Sequence, residues 1–221
     1  NCMWLKGVVM KAHYNGLIPR NPFIQFHISP NVKEREYLTE DELKAVMTHE
    51  FADSKLAYIR DIFIFASFTV LSFVDIQELT NDNIVEVNGE KWILSKRHKT
   101  KVAFQVKLLD IPLQIVERYR PMQKDNRIFP DLNYWSICKP LKRMIRECGI
   151  TKSISFHCSR HGFATLALSK GMPIESVSRV LGHTNIVTTQ LYAKITTQKL
   201  DNDLTMFGDK LSKTFNGITM S

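Results

Sequence analysis

The chain has 221 residues, 44% hydrophobic and 24% charged, which excludes a disordered tail and suffices for a core without disulfide or metal staples. Thirty Lys and Arg against 22 Asp and Glu leave +8, a balance that points to a polyanionic partner, nucleic acid before anionic membrane. The longest uncharged apolar run, residues 62–74, falls short of the roughly 17–25 residues of a bilayer span, and no secretory pattern opens the chain. Secreted and membrane classes are thereby set aside, and a cytoplasmic protein is expected.

The four cysteines (Cys2, Cys138, Cys148, Cys158) show neither CxxC nor zinc-finger spacing, so they read as reduced packing thiols. The first residue is Asn1 rather than Met, and a piece of a longer protein is expected. Residues 4–17 place Trp4, Leu5, Val8, Val9 and Ala12 on one helical face, with Gly16 as a terminator. Pro19, Pro22 and Pro30 then mark an extended stretch, so residues 1–32 read as a trailing helix plus linker and 33–221 as the main domain.

Thr39-Glu40-Asp41-Glu42 is a capping box, because the Thr39 hydroxyl and Glu42 carboxylate can satisfy the first free amides of a helix. Leu43, Val46 and Met47 supply its buried stripe, and a second helix carries the apolar run from Ile62 towards Val74. The period then changes. Ile84–Val87 and Lys91–Leu94 flank Asn88-Gly89, the strongest hairpin dipeptide. Val102, Phe104, Val106 and Leu108 alternate with polar or small residues as a third strand, which puts the second turn near Lys99-Thr100-Lys101. Helical periodicity returns after Pro112. The expected fold class is α+β, mainly helical, with a small three-stranded antiparallel sheet.

The C-terminal third carries the chemistry. Residues 155–161 open a helix in which His157 and Arg160, three apart, share one face of the first turn, beside free amides and the positive dipole end that suit an anion. Pro173 fits the start of a helix over Ile174–Leu181, Gly182 suits its C-cap, and Asn185 can cap a further helix bearing Thr188, Thr189 and Tyr192. Each feature alone is more often structural; their joint order carries the reading.

His157-x-x-Arg160, Leu181-Gly182-His183 and Tyr192 nine residues on resemble the second signature box of the tyrosine recombinases, the phage integrase family. The text from His161 to Ile195 matches that family almost continuously, and YLTEDELKAVM resembles the opening of its catalytic domain. The resemblance covers roughly residues 35–205, and the first helix looks like the end of the family's core-binding domain. It implies cofactor-free and metal-free strand exchange on double-stranded DNA, by a bacterial, nucleoid-associated protein. Tyr192 is then the nucleophile, Arg160 a bidentate phosphate grip, and His157 and His183 hydrogen-bond donors that assist proton transfer. Lys99, at the hairpin tip, is the acid for the departing 5′-oxygen. The family's tail also implies a tetramer on DNA coupled through Leu200, Leu204, Met206 and Phe207, with a monomer as the alternative for free protein.

One position departs from the family pattern. The first box usually reads T-G-L-R; here Thr69-Val70-Leu71-Ser72 puts Ser72 at the position of the second phosphate arginine. A subset of integrases resembling those of Bacteroidetes conjugative transposons shares this loss, and DIQELTNDNI fits that subset. Arg97, two residues before Lys99 and on the same strand face, is the candidate replacement clamp. The rival expectations are an inactive DNA-binding relic with Ser72 as its scar, a type IB topoisomerase, and an invertase that flips a chromosomal segment.

Overall fold

Hydrophobic patterning and local caps account for most of the elements. The computed structural model describes residues 2–25, 36–98, 101–123, 125–183, 185–193, 197–214 and 216. The chain divides into two compact units, Asn1–Glu34 and Arg35–Ser221. In the first, α1 (Cys2–Tyr14) ends before Gly16, whose φ of 72° is the left-handed conformation that glycine adopts without Cβ strain.

In the second unit, α2 (Glu40–Thr48) starts at the expected capping box: Glu42 N–H donates to the Thr39 hydroxyl at 3.3 Å and Thr39 N–H to the Glu42 carboxylate at 2.7 Å. Val46 is fully buried, flanked by the partly buried Leu43 and Met47. The next helix, α3 (Ser54–Thr69), is the centre of the unit and packs against α2, α5 (Asp110–Tyr119), α6 (Tyr134–Glu147) and α7 (Cys158–Ser169). Its apolar character all round fits a position inside the core. Asp61, the one charge buried on it, is satisfied by Arg60, Arg118 and the Tyr119 hydroxyl at 2.7–2.8 Å.

The helix does not continue towards Val74. It stops at Thr69, Val70 takes a left-handed φ of 60°, and a separate short helix, α4 (Phe73–Gln77), follows. A β-branched residue in that region is strained by about 1–2 kcal/mol, so tertiary contacts must hold the break. They do: the Val70 side chain is fully buried, and its carbonyl accepts from two arginines described below. Ser72 is the N-cap of α4, accepting from Asp75 N–H at 3.3 Å, while Ser72 N–H donates to the Asp75 carboxylate at 3.2 Å. The sequence position that lacks the arginine thus has a structural task that an arginine could not perform.

The sheet is antiparallel in the order β1 (Ile84–Val87), β2 (Glu90–Lys96), β3 (Ala103–Lys107), with Ile84 opposite Ile93 and Ile93 opposite Val106. Asn88 and Gly89 both have positive φ, 54° and 76°, as a tight two-residue hairpin requires. Ile93, Phe104, Val106 and Leu108 face the core. Val102, expected to share that face, is instead exposed where the second hairpin opens, its carbonyl accepting from Arg97 N–H. The remaining helices are α8 (Ile174–Leu181), α9 (Val187–Gln190) and α10 (Thr197–Thr214). A second, smaller core joins Val70, Ala164, Leu168, Val177 and Leu181, with Tyr192 packed against it. No helix among the described residues is long and apolar enough to cross a membrane.

Candidate active site

The smaller core is what brings distant parts of the sequence together. It ties the break after α3, the middle and last turns of α7, the buried face of α8 and the turn after α9 into one cluster. Arg160, in the first turn of α7, donates from Nη1 to the Val70 carbonyl at 3.1 Å and from Nη2 to the Leu181 carbonyl. It thereby stitches the chain break to the end of α8. Gly182, at φ 66°, turns the chain out of α8, and His183 follows with Nδ1 2.9 Å from the Thr189 hydroxyl. The N-cap of α9 is Ile186 rather than the expected Asn185, which stands one residue earlier and accepts from Val187 N–H at 2.9 Å. Tyr192 sits in the turn after that helix, its N–H donating to Thr189 O at 3.0 Å.

The aromatic rings form a row. His157 stands 4.7 Å from His161, His161 5.2 Å from Tyr192, and the His183 ring lies nearly parallel to Tyr192 at 6.4 Å. Of the sequence-predicted residues the structure therefore gathers Arg160, His157, His183 and Tyr192. Lys99 lies outside the described residues. Ser72 is near by sequence, yet its side chain is occupied as the α4 cap.

Arg97 is drawn inward rather than presented beside a hairpin tip. Only 6% of the residue is exposed. Nη1 donates to the Asp75 carboxylate at 3.0 Å and to the Val70 carbonyl at 3.2 Å, and Nη2 to the Val180 carbonyl at 2.9 Å. The guanidinium also lies over the Phe104 ring, 4.1 Å from its centroid. Its Nε–H is buried without a partner among the described residues, and a Cβ added at Gly182 would stand 3.6 Å from it. Arg97 and Arg160 share one acceptor, the Val70 carbonyl, so two cations stand side by side.

Electrostatics follow from that packing. Burial and then the neighbouring Arg97 bring the Arg160 pKa down to about 10, which still leaves it charged at neutral pH. Burial, then Arg160, Arg97 and His157, push His183 below the usual histidine value, so it is neutral there. Asp75 is pushed up by burial, but hydrogen bonds from His98 N–H, Ser72 and Arg97 outweigh this and hold it below the ordinary carboxylate range.

Three residues here escaped sequence reasoning. Asp75 joins the α4 cap to the hairpin base by accepting from Arg97 and from His98 N–H at 2.9 Å. His161 was the last residue of the opening motif, four after His157, a spacing that places both on one helix face. Thr189 looked like one of two equivalent threonines. No cluster of three or more metal-ligating side chains occurs among the described residues. Two adjacent guanidinium groups, a neutral imidazole and a phenol can grip a phosphodiester, donate to its oxygens and attack it.

Known proteins share this framework. The phage integrase family model matches residues 36–199. The tyrosine recombinase XerA of Pyrococcus horikoshii is 32% identical over 177 residues, covering 74% of this chain and 58% of that protein. XerC of Lactobacillus leichmannii is 26% identical over 200 residues, covering 84% and 67%. The chain spans a little over half the length of the first of these relatives. Among solved structures, the Tn1549 transposon integrase in complex with a circular intermediate DNA superposes with a TM-score of 0.76 at 18% identity, covering 91% of this chain and 76% of that one. XerH recombinase bound to its difH substrate gives 0.64 at 22%, covering 80% and 54%. These likenesses show the tyrosine recombinase catalytic-domain fold, and with the family match over most of its length, the chain belongs to the phage integrase family.

Proposed function

We propose that this chain is the catalytic part of a site-specific DNA recombinase that cuts and rejoins strands through a phosphotyrosine intermediate. The observation that carries this reading is the convergence of Arg160, Arg97, His183 and Tyr192 on the Val70 carbonyl and the turn after α9. Tyr192 gives up its phenolic proton to solvent, its Oη attacks the scissile phosphorus, the P–O5′ bond breaks, and the 3′-phosphate stays on the tyrosine. The 5′-oxygen leaves with a proton, for which Lys99 is the candidate acid. Attack by another strand's 5′-hydroxyl reverses the step, so no external energy source is required.

Arg160 uses two of its five N–H donors on carbonyls, which leaves the others for nonbridging phosphate oxygens. Arg97 takes the place of the absent arginine at Ser72 chiefly as a second positive charge beside Arg160, because most of its donors serve Asp75, Val70 and Val180. His157, exposed at the start of α7, donates to the phosphate. The Ser72 substitution and the DIQELTNDNI text support a place among mobile-element integrases of the Bacteroidetes conjugative-transposon type. Residues 1–32 are read as the end of a core-binding domain and its linker.

The exposed stripe of Leu200, Leu204, Phe207 and Leu211 on α10, with the family resemblance, supports docking on a neighbouring protomer in a tetramer on DNA. A relic that only binds DNA is the second reading, favoured by Ser72 alone. Incubation with nicked duplexes carrying the flanking ends of the parent element separates the two: a recombinase accumulates a denaturant-stable protein–DNA adduct, and a relic does not.

A further inference from the structure

A threonine late enough in a helix can donate its hydroxyl to the carbonyl four residues earlier. Thr48, Thr69, Thr165 and Thr214 do so, at 2.7–3.2 Å. Thr189 does not. Its helix, α9, begins only at Val187, so the residue four back, Asn185, lies before the first helical turn. The side chain is nevertheless fully buried, and its hydroxyl meets Nδ1 of His183 at 2.9 Å.

We propose that Thr189 is a positioning residue that fixes His183 with its proton on Nε2, so that His183 meets the substrate phosphate as a neutral donor and not as the base for Tyr192. This rests on the recombinase reading above. The case is one of proton accounting. A threonine hydroxyl has one proton to give, and a buried hydroxyl without an acceptor is costly. Nδ1 is the acceptor within reach among the described residues, and donation to it by the hydroxyl requires Nδ1 to be unprotonated. Stranding the hydroxyl proton instead would disfavour the opposite tautomer by about tenfold or more. With Nδ1 accepting, a neutral ring carries its proton on Nε2 and has no second lone pair for the phenol's proton.

The surroundings agree. The groups that act on His183 are Arg160, Arg97 and His157, and together with burial they disfavour the doubly protonated ring. The same threonine also sets the nucleophile, because Tyr192 N–H donates to its backbone carbonyl at 3.0 Å. One residue thus fixes the donor and the turn that carries the attacking phenol.

The test uses the full chain with ¹⁵N-labelled histidine, His183→Gln identifying the His183 signals in long-range ¹H–¹⁵N spectra. Wild type should show His183 with Nδ1 unprotonated and Nε2 protonated at neutral pH. Thr189→Val, which keeps the shape and removes the hydroxyl, should mix the tautomers and slow adduct formation on nicked DNA by about tenfold, whereas Thr189→Ser should retain both properties within about twofold. Nδ1 protonated in wild type, or Thr189→Val matching wild type in tautomer and rate, would overturn the inference while leaving the recombinase reading intact. Should Thr189→Val fail to fold, the wild-type spectrum and Thr189→Ser decide alone. Wild-type protein with the expected tautomer and no adduct would overturn the recombinase reading, and with it the donor role.

Discussion

Removing the Asp75 carboxylate should be among the most damaging single changes in the larger unit. It accepts from Arg97 at 3.0 Å, from His98 N–H at 2.9 Å and from Ser72 N–H at 3.2 Å. Both side chains of the Arg97 pair are under a tenth exposed, 8% and 6%. Solvent screening, which makes surface pairs nearly worthless, is therefore largely absent. Breaking a buried pair leaves the other charge uncompensated, at about 3–5 kcal/mol. Asp75→Ala should lose about that much in urea denaturation, equivalent to about 6–20 °C in melting temperature for a unit of this size. Asp75→Asn, which keeps an acceptor oxygen, should lose less. Asp75→Leu combined with Arg97→Met should be more stable than Asp75→Ala alone, because no buried charge then remains. The pH dependence has a definite sign. A carboxylate held below its unfolded value stabilises fully above that value, about 3.9, and loses the contribution as pH falls below it towards the folded pKa. The gap between wild type and Asp75→Ala should therefore be flat from neutrality to about pH 4 and narrow below. A loss under about 1 kcal/mol at neutral pH would refute the claim that this ion pair holds the hairpin base to α4.

Other outcomes follow from the same geometry. Ser72→Ala should cost about 0.5–2 kcal/mol through loss of the α4 cap, and Ser72→Arg should pay the same stability while raising the adduct rate if the missing arginine limits catalysis; an unchanged melting curve for Ser72→Ala would remove the capping role. Arg97→Lys keeps a cation but cannot serve Asp75, Val70 and Val180 together, and it should slow cleavage far more than it weakens DNA affinity. A plain backbone contact would instead lower affinity and flatten the salt dependence by about one unit. Gly182→Ala should destabilise by about 1–2 kcal/mol, because the left-handed φ of 66° and not the space around it is the obstacle. Deleting residues 200–221 should impair synapsis of two DNA ends more than cleavage of one, measured by native gel and adduct yield; equal loss in both would count against docking in trans.

Elements whose signals are local were legible in the sequence. The Thr39–Glu42 box, the Asn88-Gly89 hairpin and the Pro173/Gly182 boundaries of α8 each depend on chemistry within a few residues. The gathering of Arg160, His183 and Tyr192 was legible only through resemblance, since no periodicity says that α7, α8 and the turn after α9 share a core. What was not legible depends on distant partners. An apolar run gives no sign of a left-handed break at Val70, because the break is held by arginines 27 and 90 residues away. Strand alternation put Arg97 towards a phosphate, whereas a buried Asp75 and the Phe104 ring draw it inward. Thr188 and Thr189 are equivalent on paper, and only the short α9 and the neighbouring imidazole distinguish them.

The central claim is that Tyr192 becomes covalently joined to DNA. Wild type and Tyr192→Phe should be incubated with nicked duplexes carrying the element's ends, denatured, and the adduct digested for mass spectrometry. The account predicts a DNA 3′-phosphate on Tyr192 in wild type, with Tyr192→Phe folded, binding DNA equally and forming none. Equal adduct from Tyr192→Phe, or a phosphate mapped to another residue, would contradict it.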